Sequence, residues 1–367
     1  MARGAPSHLS ADIIDGGCAV YMGAFWRSTN SSSPVMPPSK PSSPTSPKPV
    51  LPEKLAEAPF DDARADLILQ SNDKVHFRVF KIILSLASPI FNDMFSIPSP
   101  PSHDEVQIVP VSEHSTALDI ALRHIYPVRT PTADGDTLRY ASILTEFARK
   151  YQVEVLDKVI TDYLTESTER DPVGVYAIAV AYGFNSIGAN AAKSCLNLPF
   201  SDLQSSYLRC ATAEHILELL RYHVACGEAA SALASSNRTW FSSLSNNGIF
   251  APQRGSSEWS YCMSCSMLDF IPRTPENIGT GTLARKSGPR CLWNYLYRSA
   301  LVLAHHPTAE VVTTEAFILK TNDCPSCAQS MRGDMLEVGV VLGREIKNGI
   351  ERVRLSLYSL SPVCDVQ

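Results

Sequence analysis

Between Leu67 and Ser115 the chain changes its hydrophobic period, and that change sharply limits the folds open to it. Val75-His76-Phe77-Arg78-Val79 alternates apolar with polar, the period of a strand with one buried face. The apolar run Leu67-Ile68-Leu69 precedes it, and Asn72-Asp73 between them is turn chemistry, so Leu67 to Phe80 is expected to form a hairpin. Ser88-Pro89 pairs a capping side chain with a residue suited to a first helical turn. The helix it opens should place Ile90, Phe91, Met94 and Phe95 on one face before Pro98 to Ser102 breaks it. Val106-Gln107-Ile108-Val109 supplies a third strand.

From Ser115 the spacing becomes three and four. Ser115 to Tyr126 carries Leu118, Ala121, Leu122 and Ile125, and Pro127 ends it. Asp136 to Tyr151 repeats the pattern with Leu138, Ala141, Leu144, Phe147 and Ala148. Val153 to Leu164 does so with Val155, Leu156, Val159, Ile160 and Tyr163. Strands gathered first and helices after them predict an α+β unit, a small sheet capped by helices, rather than repeating βαβ units.

The flanks differ in kind. Residues 1–58 form a leader dominated by Ser and Pro from Arg27 onward, with few large apolar side chains to bury, and are expected to be disordered with polyproline character. Ser33-Pro34, Ser43-Pro44 and Ser46-Pro47 are candidate proline-directed phosphorylation sites, or parts of an unmodified linker. Over the whole 367 residues, 44% hydrophobic and 19% charged content fits a globular protein of two or three domains. A net charge of −5 gives no electrostatic case for nucleic acid or an anionic membrane, and the short Arg285-Lys286 to Arg290 stretch reads as a solvated loop. No apolar run approaches the roughly 20 residues that span a bilayer. Cys18 to Trp26 is apolar but follows Asp12 and Asp15, with Arg3 as its basic flank, a poor secretory signal. The Asn-x-Ser/Thr matches at Asn30 and Asn237 would matter only after secretion. The grouping of the ten cysteines favours reduced thiols or metal ligands, which places the protein in cytoplasm or nucleus.

Four segments, in order, resemble the BTB/POZ family. They are Ala65-Asp66-Leu67-Ile68-Leu69, the run from Phe77-Arg78-Val79-Phe80-Lys81 to Ser88-Pro89-Ile90-Phe91, Leu122-Arg123-His124-Ile125-Tyr126-Pro127, and Phe147-Ala148-Arg149-Lys150-Tyr151-Gln152-Val153. The resemblance covers residues 59–167 and implies a protein-docking fold with protein partners. The family's homodimers present an acidic and a basic residue in a charged pocket, and Asp66 and Lys81 stand at the matching positions. A local salt bridge or two solvated charges is the alternative reading of that pair. One departure is Phe80, where the family usually has a His that ties hairpin to helices; a Phe there implies local repacking.

Residues 168–234 are expected to be helical. Asp171-Pro172 opens a helix with Val175, Tyr176, Ile178, Ala179 and Tyr182 as its apolar positions, Gly183 closes it, and Ala189 to Leu196 is its partner. Ala213 to Leu233 is a longer helix with an apolar stripe at Ile216, Leu217, Leu220, Val224 and Ala225. This region resembles the segment C-terminal to the domain in fungal BTB proteins and, more loosely, the BACK extension of BTB adaptors. Such adaptors dock cullin ubiquitin ligases, but no clear form of that docking motif stands here.

Residues 235–367 contain two Cys-x-x-Cys pairs, Cys262/Cys265 and Cys324/Cys327. Two residues between thiolates let both chelate one tetrahedral ion, so the pairs are candidate ligands of a structural zinc, although they are farther apart than usual for such ligands. Free thiols are the alternative, and a redox Cys-Pro-x-Cys lacks its βαβ setting. His223 and Cys226, three apart on a helix, are expected to be an exposed His beside a packed Cys rather than ligands, and His305-His306 a helix end following a helical Trp293 to His306. Gly279-Thr280-Gly281-Thr282 lacks the strand and the Gly-Lys-Ser/Thr of a phosphate loop. No hydrolase elbow or His-Glu-x-x-His appears. The expected function is non-enzymatic: an interaction scaffold acting through the domain, self-associating. A substrate adaptor of a cullin ligase and a zinc-binding regulator are the alternatives.

Overall fold

A computed structural model of the chain describes residues 54–97, 106–130, 135–235, 290–321, 324–325, 329 and 331–355. The Ser/Pro leader up to residue 53, the break at Pro98 to Ser102, Gly279 to Thr282 and the basic stretch before Arg290 lie outside the described residues.

Four strands among those residues form one mixed sheet, ordered β1 (Lys54–Leu55), β3 (Val75–Val79), β2 (Leu67–Gln70), β4 (Gln107–Pro110). The hairpin is antiparallel, with Leu67 opposite Val79 and Gln70 opposite His76. β4 runs parallel to β2 and β1 parallel to β3. The turn closes on Ser71, which accepts from the Val75 N–H at 2.9 Å, and Lys74 adopts a left-handed φ of 65°. β1 has no counterpart in the sequence reading, since two residues carry no period.

The helices are α1 (Lys81–Ala87), α2 (Pro89–Ser96), α3 (Ser115–Ile125), α4 (Thr137–Tyr151), α5 (Asp157–Ser167), α6 (Pro172–Ala181), α7 (Asn185–Cys195) and α8 (Ala213–Ser235). They continue with α9 (Arg290–Leu303), α10 (Ala309–Thr313), α11 (Glu315–Lys320) and α12 (Arg332–Glu351). The fold is α+β, as the change of period predicts: a small sheet capped by helices, with α1 and α2 placed between the hairpin and β4 and the remaining helices following. Ser88 caps α2 by accepting from the Phe91 N–H at 3.1 Å, and its hydroxyl donates to the Tyr151 carbonyl. Phe91 stacks on Tyr151 with centroids 4.5 Å apart, which fixes α2 on α4.

Three sequence expectations are corrected. Val155 is exposed rather than inward, because Glu154–Leu156 forms a 3₁₀ turn and the buried row becomes Leu156, Ile160 and Leu164. α6 buries all ten of its residues, not only the five apolar positions expected, and so threads the interior of the helical region. α8 turns the opposite face inward. His215, Leu219, Tyr222, His223, Cys226 and Ala230 are buried, whereas Leu217 is 50% and Val224 43% exposed. Both faces of α8 are apolar enough to pack, and the one that wins fits the close crossing with α9, where a Cβ on Gly227 would lie 2.5 Å from the Ala304 carbonyl oxygen.

Two apolar cores result. The first runs from the sheet through α1 to α7 into the first half of α8. The second is built by the end of α8 with α9 to α12, around Tyr295, Leu303, Val338 and Leu342. Ile350 near the end of α12 touches both.

Candidate docking surface

A helix start leaves N–H groups without acceptors, and the N-cap of α1, Phe80, has no side chain able to accept them. Asp66, just ahead of β2, supplies the acceptor: its Oδ1 takes the Lys81 N–H at 2.8 Å. A carboxylate there also suits the positive end of the helix. The Lys81 ammonium points elsewhere, donating to Gln107 Oε1 of β4 at 2.9 Å and standing 5.9 Å from the Phe95 ring centre. The two residues singled out by sequence therefore do meet, but through the backbone N–H of Lys81, and each charge ties α1 to a different strand.

The Phe80 departure resolves in the same corner. The Phe80 N–H donates to the Tyr126 hydroxyl at 2.7 Å, and Tyr126 packs edge-on against Phe60 with centroids 5.4 Å apart. Burial pushes the Tyr126 hydroxyl up to about 12, the hydrogen bond from Phe80 opposing it, so it stays a neutral partner. Sequence spacing had no means to pair residues 46 positions apart. Arg123 secures the entry to the unit, bonding the Ala58 carbonyl at 2.8 Å and Asp119 at 2.8 Å while lying over Phe60.

What this scaffold presents outward is apolar. Of the seven residues of α1 only Leu84 is buried, whereas Ile82 is 64% and Leu86 81% exposed. Spaced by four, they form one stripe on the solvent side. Ile108 on β4 is exposed as well. A short helix tied at its first residue by Asp66 and along its side by Lys81 thus carries an apolar face outward, an arrangement suited to binding protein surface.

Residues 58–168 match the BTB/POZ domain. No curated protein matches the chain. The matched span covers the hairpin, β4 and helices α1 to α5, the mixed sheet capped by helices described above. The BTB/POZ domain is a protein-interaction module, and its presence implies protein partners. Arg149 joins the domain to the C-terminal end of α6 and the start of α7, bonding the Tyr182 carbonyl at 3.0 Å with its guanidinium over Phe184.

The metal expectation rests mostly on residues that are not described. Cys262, Cys265 and Cys327 lie outside the described residues, while Cys324 is half-buried against the second core. Among the described residues no group of three or more His, Cys, Asp or Glu is arranged to hold a metal. His223 is a correction: it is buried like Cys226, and its Nε2 meets the Leu198 carbonyl at 3.1 Å. Burial pushes the Cys195 thiol up to about 12 and the Cys226 thiol to about 11, which leaves both unreactive as nucleophiles. Among the described residues no helix is long and apolar enough to cross a membrane.

Proposed function

We propose that the protein is a non-enzymatic interaction scaffold whose BTB/POZ domain self-associates through the outer face of α1, leaving the C-terminal helices to engage a target. The supporting observation is the exposed Ile82 and Leu86 stripe on a helix whose position is otherwise fixed by Asp66 and Lys81. Two apolar side chains of this size, left in water, are stabilised by roughly 1.5–3 kcal/mol each when fully buried. Light scattering on the full chain tests the reading. Wild type is expected at twice the chain mass, and Ile82→Asp with Leu86→Asp at the mass of one chain with unchanged helicity. A wild-type protein of single-chain mass at high micromolar concentration contradicts it.

A narrower form makes the protein a substrate adaptor of a cullin-type ligase. It draws support from α6 and α7, which continue from the domain into one shared core and so extend a docking surface rigidly. Purified cullin N-terminal domain retained by the full chain supports it, and no retention removes it. A second reading, a structural zinc held by Cys262, Cys265, Cys324 and Cys327, is supported by the two-residue spacing within each pair and by the place of Cys324 at the rim of the second core. Its test is metal analysis of protein prepared under reducing, chelator-free conditions; absence of stoichiometric zinc ends that reading.

A further inference from the structure

Besides α8 and the end of α12, the loop after α7 joins the C-terminal helices to the first core. Asn197 to Phe200 leaves α7 and is gripped from two directions. His223 of α8 points Nε2 at the Leu198 carbonyl, 3.1 Å away, and His306, just beyond α9, points Nε2 at the Asn197 carbonyl, 2.8 Å away. The Phe200 N–H donates to the His305 carbonyl at 2.9 Å, and Thr308, whose hydroxyl donates to the Glu310 carboxylate at 2.5 Å, stands 3.3 Å from Asn197 Oδ1. The Phe200 ring meets the His223 ring edge to face with centroids 5.7 Å apart. Carbonyls only accept, so both Nε2 atoms carry hydrogen. In His223, which is 1% exposed, the Nδ1 lone pair is then buried with no hydrogen-bond partner.

We propose that His223 makes this loop an acid-released clasp, closed while its ring is neutral and opened when Nδ1 takes a proton. That proton creates a buried N–H with no acceptor, together with a charge. The groups facing the ring do not compensate it. The loop itself brings Asn197, Leu198, Pro199 and Phe200, none of them titratable. The segment after α9 brings His306, whose charge opposes that of His223, and Glu310, whose carboxylate is already taken by the Thr308 hydroxyl and Lys347. α6 reaches α8 with Tyr176, whose hydroxyl is bonded to the His215 carbonyl at 2.8 Å, two turns away. α12 meets α8 at the contact of Gly349 with Leu233, well along the helix. On α8 itself the neighbours are Tyr222 and Cys226.

Burial holds the His223 imidazole below its ordinary range, with the Leu198 hydrogen bond partly opposing. The closed form is therefore fully favoured above the ordinary imidazole range and loses its advantage as pH falls through it, until the buried ring is itself protonated. Opening rises roughly tenfold for each unit separating the open and closed values. His215 on the same helix is also held low by burial and is the control.

The test is hydrogen exchange on the full chain, corrected for intrinsic rates, between about pH 7.5 and about pH 5.5, the window in which histidine changes charge. Peptides covering 197–200 and 303–308 are expected to lose protection at the lower pH while those from α4 keep it. His223→Gln, whose amide nitrogen can donate to Leu198 but takes no proton, should keep protection at both values. His215→Gln and His306→Gln should retain the pH response. Wild-type protection that ignores pH, or a response that survives His223→Gln, overturns the proposal. Should that variant not fold, the ring titration of His223 followed by NMR in wild type decides: a midpoint at or above the ordinary imidazole range also overturns it.

Discussion

Asp66 and Tyr126 hold the start of α1 through the backbone N–H groups of Lys81 and Phe80, which is why their roles were only half legible. Asp66 and Lys81 stand out by their match to the charged-pocket positions of BTB/POZ homodimers, but nothing in their spacing says that the carboxylate caps α1 or that the ammonium reaches Gln107. Asp66→Ala should cost about 1 kcal/mol in denaturant unfolding, as for other lost caps, and Asp66→Asn much less. Tyr126→Phe leaves the Phe80 N–H without its acceptor in a half-buried place and should cost about 1–3 kcal/mol. Asp73 adds a pH dependence. Burial alone would raise its carboxyl, but hydrogen bonds from Ser115 and Ser71 outweigh that and bring it down to about 2. Its folded value lies below the ordinary 3.8, so its contribution is present above that value and is lost as pH falls towards about 2. Asp73→Ala should therefore lower stability at neutral pH by about 1 kcal/mol after allowing for solvent screening, and the difference from wild type should shrink in acid.

At the scale of elements, periodicity and turn or cap chemistry located the hairpin, β4 and the long helices, although both faces of the hairpin strands turn out to be buried, His76 and Ile68 included. They fell short where an element shows no period or more than one stripe. β1 is too short to show a period, and α6 has no exposed face to define one. α8 offers two apolar stripes, and the buried one includes two histidines and a cysteine that hydropathy alone does not favour. A pair of substitutions checks the corrected face. Leu219→Ala should destabilise by about 2–5 kcal/mol as a buried truncation. Leu217→Gln, on the face expected from sequence to be inward, should stay within about 0.5 kcal/mol of wild type. Gly227→Ala gains helix propensity of about 1 kcal/mol but forces a methyl onto the Ala304 carbonyl, so it should lower the stability of the C-terminal helices on balance.

For the molecule as a whole, α8 is the member common to both cores: its first half closes the core that begins at the sheet, and its second half opens the core of α9 to α12. A chain ending after Ser235 would leave Ala230 and Ala234 in water and is expected to aggregate or lose the end of α8, readable as reduced helicity and higher scattered light. At the other end of the first core, the ties of α1 to Asp66 and Gln107 mean that a partner seated on its stripe would meet a helix already in place. Amide exchange of the peptide covering α1, followed on the full chain from high micromolar to nanomolar concentration, tests that claim at its location. Burial of Ile82 and Leu86 between chains predicts that α1 loses protection on dilution while α4 does not; exchange of α1 that is independent of concentration contradicts it.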